Sequence, residues 1–227
     1  MTEDAILGRD DWRSRLRALP VLTGDLRGLS AGELPPHPLT LLERWLDEAI
    51  VAGVAQPHVA ALATAGADGA VGNRMLIVKD LTAQGVWFSS SSTSPKGADL
   101  AADPRAALTL YWRESGRQVR VTGTVSIPSA DVSAHDFRER SVVARREMLV
   151  DRQSAPRVDE AEATALLEAA QRRLDADPET VAPAWSAYLL APERIEFWAA
   201  ATGRAHDRFS ATPDAGGGTW RWQRLWT

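Results

Sequence analysis

The sequence predicts an α+β fold in which an antiparallel β-barrel carries flanking helices. Three observations support this. Between residues 58 and 126, short runs rich in Val, Leu, Ile, Thr and aromatics alternate with turn chemistry, as strands do. The connections between these runs are of hairpin length, whereas parallel pairs need crossovers of about a dozen residues or more. Longer helical periodicity flanks the stretch on both sides. Neither an internal repeat nor a linker-like composition interrupts residues 38–227, so they read as one domain behind an arm of residues 1–37.

The arm carries Pro20, Pro35 and Pro36 and no sustained period, with one short helix expected around residues 12–19. Residues 38–50 place apolar side chains at 42, 45, 46, 49 and 50, a helical stripe, and Thr40 with Glu43 fits a capping box. Residues 59–64 lead to a turn at Ala67-Asp68-Gly69, with residues 74–79 as hairpin partner. A strand over 86–89 follows, and Ser94 as N-cap with Pro95 at the first helical position opens a short helix to Ala102. Strands at 107–112 and 118–127, joined by Glu114-Ser115-Gly116, bring the expected barrel to five. Residues 130–140 and 159–176 read as helices, the second with apolar residues at 163, 166, 167, 170 and 174. The Arg- and Glu-rich residues 138–152 between them have no clean period. Strands at 185–190, 194–198 and 220–226 complete the chain, with Gly216-Gly217-Gly218 as a turn.

Composition narrows the function. The 227 residues are 44% hydrophobic and 25% charged, which excludes disordered and fibrous classes. Opposing 26 Lys and Arg, 30 Asp and Glu leave a net charge of -4, hence no general attraction to nucleic acid or an anionic membrane. Zero cysteines exclude disulfides, thiolate metal sites and thiol nucleophiles. No stretch approaches the ~18 apolar residues of a membrane span, and the acidic, polar start is no leader, so a soluble cytoplasmic protein is expected. The aromatic balance is unusual, with nine Trp beside two Tyr and four Phe.

Four features could carry chemistry. The run Ser89-Ser90-Ser91-Ser92-Thr93-Ser94-Pro95-Lys96 passes from a strand end into a helix N-terminus bearing a lysine. Unpaired amides, hydroxyl donors and a cation at a positive helix pole are the parts of a phosphate site, against the plainer reading of a polar loop. Arg74 and Lys79 bracket the apolar Met75-Leu76-Ile77-Val78, and a separation of five puts them on opposite faces unless a bulge intervenes. Arg204, His206 and Arg208 alternate, which in an extended segment would aim all three toward one anionic or electron-rich partner. Gln118, and Gln153 with Ser154, are isolated polar positions that read as surface when taken alone. The four histidines, at 37, 58, 135 and 206, have no metal-ligand spacing, so no metal is expected. With no G-x-S-x-G elbow and no Gly-rich dinucleotide loop, the chemistry would belong to a phosphate-bearing, aromatic cofactor.

These residues, taken in order from 38 to the C-terminus, resemble the pyridoxamine 5′-phosphate oxidase family of FMN-dependent enzymes. The resemblance rests on residues 38–45, 74–79, Lys96, Gln118-Val119-Arg120-Val121-Thr122-Gly123, Gln153-Ser154, Ile195-Glu196-Phe197-Trp198 and residues 204–209. It implies a split antiparallel β-barrel homodimer with FMN at the interface. Carried over residue by residue, it implies FMN binding at Arg74, Met75, Lys79, Ser89, Ser90, Lys96, Gln118, Gln153, Ser154, Trp185 and Arg208. It implies substrate binding at Lys79, Arg140, Arg204 and His206, with Arg204 and His206 as the catalytic pair and no metal. Among the tryptophans, Trp45 and Trp198 would then be core residues, Trp185 a cofactor contact, and Trp220, Trp222 and Trp226 packing on the last strand.

The departures bear on substrate. The tyrosine and serine that hold a substrate phosphate in the B6 enzymes correspond to Asp136 and Ala144, and Pro95 replaces a common arginine. Each lost charge-assisted bond is worth about 1.5–3 kcal/mol. Arg145-Arg146-Glu147-Met148 stands where an apolar stretch is usual, while Leu110-Tyr111-Trp112-Arg113-Glu114-Ser115 is similar to the phenazine-biosynthesis oxidases. The expected function is therefore an oxidase of specialised metabolism that dehydrogenates a reduced N-heterocycle, with hydride passing to flavin N5 and O2 reoxidising the flavin to give hydrogen peroxide. His206 would orient the substrate or act as base. The alternatives are a pyridoxine/pyridoxamine 5′-phosphate oxidase and a non-catalytic flavin-binding protein.

Overall fold

Period-two burial along the middle of the chain turns one face of each strand inward, and the strands pair in an order that brings these faces together. The computed structural model describes residues 10–23, 26–157, 159–204, 206–216 and 218–227. Its strands are β1 (Val59–Ala65), β2 (Val71–Thr82), β3 (Gly85–Ser91), β4 (Arg105–Trp112), β5 (Arg117–Ser126), β6 (Trp185–Ala199), β7 (Asp207–Pro213) and β8 (Trp220–Arg224). They form one antiparallel sheet in the order β3-β2-β1-β4-β5-β6-β7-β8, and β3 also pairs with β6. The first six therefore close into a barrel, which leaves no free edge among them, while β7 and β8 extend the wall.

One register row illustrates the core. Leu62 lies opposite Leu108, Leu108 opposite Val121, and Val121 opposite Ile195, and all four are fully buried. Helix α2 (Pro38–Val51) packs Leu41, Leu42, Trp45 and Ala49 against this core, with Trp45 edge-on to Phe197 at 5.3 Å. The stripe is turned slightly from the expected one: Leu41 is inside and Ile50 is 57% exposed. The expected Thr40–Glu43 box is not formed. Pro38 starts the helix earlier, so His37 is the N-cap and its Nδ1 accepts from the Leu39 amide at 3.3 Å.

The expected helix near residue 12 is present as α1 (Asp10–Ala18). From residue 27 onward the arm belongs to the barrel: Leu29 and Leu34 join its core, and the Gly28 and Leu29 amides donate to Ala200 O and the Asp207 carboxylate at 3.0 Å each.

Other expectations are also revised. Two strands expected at 185–190 and 194–198 are the single 15-residue β6, which passes Pro192 at a register shift opposite Gly123. A Cβ at Gly123 would overlap the Ala191 carbonyl, so the close approach requires glycine. Strand β7 was not expected, and the alternation over 204–208 does not hold: Thr202–Arg204 make a 3-10 turn around a left-handed Gly203, and extended structure begins only at Asp207. Ala205 and the side chain of Arg204 lie outside the described residues, as does Gly217 of the expected glycine turn.

A second core packs Phe137, Leu149, Ala170, Leu174, Ala182 and Trp185 where α4 (Ala130–Arg138), α5 (Val142–Leu149) and α6 (Glu160–Ala176) meet the start of β6. Helix α5 was illegible because its inward face carries a charge. Arg145 is only 8% exposed and donates to the carbonyls of Thr180, at 3.0 Å, and Pro178. Trp222 packs on Phe197 as expected, but Trp226 is 97% exposed.

Candidate active site

The serine run becomes a cradle. Helix α3 (Pro95–Ala102) begins at the N-cap Ser94, whose hydroxyl accepts from the Gly97 amide at 3.3 Å. Gly97 closes the turn tightly, since a Cβ there would overlap the Ser92 carbonyl. Lys96 Nζ then donates to Ser90 Oγ at 2.8 Å and Ser94 Oγ at 3.2 Å, and Ser90 donates to Gln153 Oε1 at 3.4 Å. Arg74, on the neighbouring β2, donates to Thr64 Oγ1 at 2.7 Å and pairs with Asp99 at 3.6 Å. Two cations thus stand near the positive pole of one helix: Asp99 pairs with Arg74, while among the described residues Lys96 has hydroxyl partners but no carboxylate partner. Burial pushes the Lys96 ammonium pKa down, and the Arg74 charge pushes the same way. Both strains are relieved by an incoming anion.

The loop carrying Gln153 and Ser154 is tied to the cradle through Asp151, whose carboxylate accepts from Thr93 at 2.6 Å and Ser91 at 3.2 Å. Ser154 holds a left-handed φ of 68. Ser89 alternates to the other face of β3 and joins none of these contacts. Met75 is 65% exposed on the face of β2 opposite Arg74. Lys79, also exposed, occupies the bulge between Val78 and Asp80, the irregularity that the Arg74–Lys79 spacing required for the two to share a face.

A second set is assembled by sheet register. Tyr111 lies opposite Gln118, Gln118 opposite Trp198 and Trp198 opposite Arg208, forming one row across β4, β5, β6 and β7 that lines an open cavity. Trp198 is thus half-buried on the outward face rather than in the core. Beside this row is Glu196, 7% exposed, which pairs with Arg208 and Arg120 at 2.7 Å and with Arg194 at 2.9 Å. Burial acts to raise the Glu196 carboxyl, but hydrogen bonds from Arg208 and Arg120 and the arginine charges outweigh it and hold the pKa below the usual range.

His206 sits 4.9 Å from the Trp198 ring, and its Nδ1 accepts from the Ala201 amide at 3.3 Å. The neutral ring therefore carries its proton on Nε2 and presents a donor there. The cavity beside it is walled by Val21, Leu22 and Leu26 of the arm and by Ala201 to Gly203.

Arg140 is stacked 4.2 Å over the ring of Trp185, which register places opposite Ser91, and its Nε is buried without a hydrogen-bond partner among the described residues. Trp185 itself is in the second core and donates from Nε1 to Asp136 at 2.7 Å. Burial lowers the Arg140 pKa and the Asp136 charge opposes that shift.

Sequence reasoning missed Trp198 and Glu196 as site residues, yet a signal was present. Strand parity over Ile195-Glu196-Phe197-Trp198 turns 195 and 197 inward and 196 and 198 outward, beside Gln118 and Arg120. Thr64 and Asp99 were also missed, and nothing local marks them.

One barrel thus carries both the serine- and lysine-lined helix start and the arginine-rich outer face. Residues 46–199 match the family described as pyridoxamine 5′-phosphate oxidase, and residues 185–227 match the pyridoxine 5′-phosphate oxidase C-terminal dimerisation region. A pyridoxine/pyridoxamine 5′-phosphate oxidase of Anaeromyxobacter dehalogenans is 43% identical over 177 residues, covering 76% of this chain and 87% of that protein. One from Burkholderia multivorans is 37% identical, covering 82% and 87%. Among solved structures, PhzG from Burkholderia lata 383 in complex with tetrahydrophenazine-1-carboxylic acid superposes with a TM-score of 0.80 at 33% identity, covering 90% of this chain and all of that one. An FMN-binding protein of Nostoc punctiforme shares the fold at a TM-score of 0.68 and 16% identity. The chain belongs to the pyridoxamine 5′-phosphate oxidase family, and with it to the flavin-dependent oxidases.

Proposed function

We propose that this protein is a homodimeric FMN-dependent oxidase that dehydrogenates a reduced N-heterocycle bearing a carboxylate, phenazine-like rather than a B6 phosphate ester. The residues fit the cofactor: a half-buried lysine whose partners among the described residues are hydroxyls, at a helix N-terminus beside an arginine, suits the FMN phosphate. When bound, FMN supplies the two-electron acceptor, with dioxygen as terminal oxidant and hydrogen peroxide as product. Ser90, Lys96, Arg74, Gln153 and Ser154 hold the phosphate end. Gln118, Trp198 and Arg208 face the ring system, where excess positive charge favours electron-rich states. His206 presents its Nε2 donor to the substrate, which favours an orienting role over that of a base, and Arg204 is assigned to the substrate by the family resemblance alone. Outward apolar side chains on β2, with Val71 78%, Met75 65% and Ile77 37% exposed, suit a second copy of the chain.

One observation carries the choice of substrate. Asp136 places a negative charge beside Arg140, so the local excess suits a single carboxylate and disfavours a phosphate dianion. The solved relative holds a tetrahydrophenazine carboxylic acid, which supports this reading. The names of the curated relatives support the B6 reading instead, and the two are separable. Under anaerobic mixing, tetrahydrophenazine-1-carboxylic acid is expected to bleach the visible flavin absorbance rapidly and pyridoxine 5′-phosphate slowly. The reverse order overturns the proposal, and bleaching by neither leaves a flavin-binding protein.

A further inference from the structure

Glu196 is a buried carboxylate held by three guanidiniums, an unusual concentration on the outer face of a barrel. Its Oε2 accepts from Arg208 Nε at 3.2 Å and from the Arg208 terminal amine at 2.7 Å, while Oε1 pairs with Arg120 at 2.7 Å and Arg194 at 2.9 Å. These contacts use the lone pairs of both oxygens. They also occupy one whole edge of the Arg208 fork, so its remaining N–H donors point away from Glu196; Arg208 and Glu196 line one open cavity together with Gln118 and Trp198.

Charge sharpens the point. One carboxylate among three guanidiniums leaves the wall with a surplus of two positive charges. Joining the strands needs only one pair, so the surplus is free to meet an anionic or electron-rich ligand at the open cavity. Arg194 is engaged on the other side, donating to Ser210 at 3.0 Å.

We infer that Glu196 is a positioning residue that holds the Arg208 guanidinium in the orientation from which it meets the ring system of the bound flavin. The inference rests on the functional reading above and adds to it a group that touches no ligand. In the Glu196→Gln protein the side chain keeps its size but loses its charge, and its amide nitrogen offers a donor where a guanidinium needs an acceptor, so the three guanidiniums are no longer all anchored and Arg208 is held less firmly.

The test is a set of flavin titrations on the full chain, with FMN and with riboflavin, which lacks the phosphate. Glu196→Gln is expected to weaken both by the same factor, about tenfold, as loss of a charge-assisted pair at the ring would do. It is also expected to shift the visible flavin band. Arg194→Met, which removes a different guanidinium from the same carboxylate, should leave both affinities within about twofold. Glu196→Asp, which keeps the charge, should recover part of the loss and stands in if the glutamine variant does not fold. Wild-type and Glu196→Gln proteins that bind both flavins equally, with superimposable spectra, overturn the inference while leaving the functional reading intact. A wild-type protein that binds neither flavin overturns both.

Discussion

Two cationic sites in this molecule have similar composition and different electrical states. At Lys96 and Arg74, Asp99 pairs with the arginine, and the lysine is satisfied by Ser90 and Ser94 hydroxyls, which can turn to serve an anion. At Arg140, the guanidinium lies on the Trp185 ring while Asp136, itself fixed by the Trp185 Nε1 proton, supplies a counter-charge from within the chain. The first site is under-compensated, which is what the proposed function asks of a phosphate site, and the second is partly compensated. Counting cations would equate the two; the nearby carboxylates and hydroxyls separate them.

The sharpest way to break this contrast is at the first site. Lys96→Met should weaken FMN binding roughly 10- to 100-fold, the equivalent of one or two hydrogen bonds to a charged group, and leave riboflavin affinity nearly unchanged. Fluorescence titration reads both, and an equal loss for the two flavins would mean that Lys96 does not meet the phosphate. Arg74→Gln should weaken FMN by about tenfold and lower the melting temperature of the flavin-free protein, because it leaves Asp99 without its cation. At the second site Asp136→Asn removes the internal counter-charge while keeping an acceptor for Trp185. Its kcat/KM for pyridoxine 5′-phosphate should rise about fivefold, a modest gain because the site stays partly exposed to solvent. No gain would show that Asp136 does not select against the phosphate.

The smallest expected effect concerns pH. Glu196 has its folded-state pKa held below the ordinary 4.5, so the stability it adds is complete above that value and is lost as pH falls through the depressed one. Acid thermal scans should therefore show a shallower decline below pH 4.5 for Glu196→Gln than for the wild-type chain, from a lower starting point.

Legibility followed the range of the interactions. The Ser94-Pro95-Lys96 helix start could be read because an N-cap, a proline at the first position and a cation act within one turn. The Arg74–Lys79 spacing posed a question, a bulge or opposite faces, that only pairing with β3 could answer. Helix α5 escaped because buried Arg145 breaks its apolar stripe, and it is tolerated only because the Thr180 and Pro178 carbonyls are brought to it from beyond α6. His206 was visible as a candidate, but its tautomer depends on the Ala201 amide placed by the turn at Gly203.

By itself the sequence determined the barrel class, most of the elements, the helix start that ends the serine run and the family resemblance, all of which rest on periodicity and local residue chemistry. Only the tertiary structure decided which cations are compensated, because Asp99, Asp136 and Glu196 reach their arginines through strand register and helix packing. Register also put Trp198 beside Gln118 and Arg208, although they lie far apart along the chain. The charge state of a site is a property of what folding brings within a few ångströms, and spacing along a chain does not encode it.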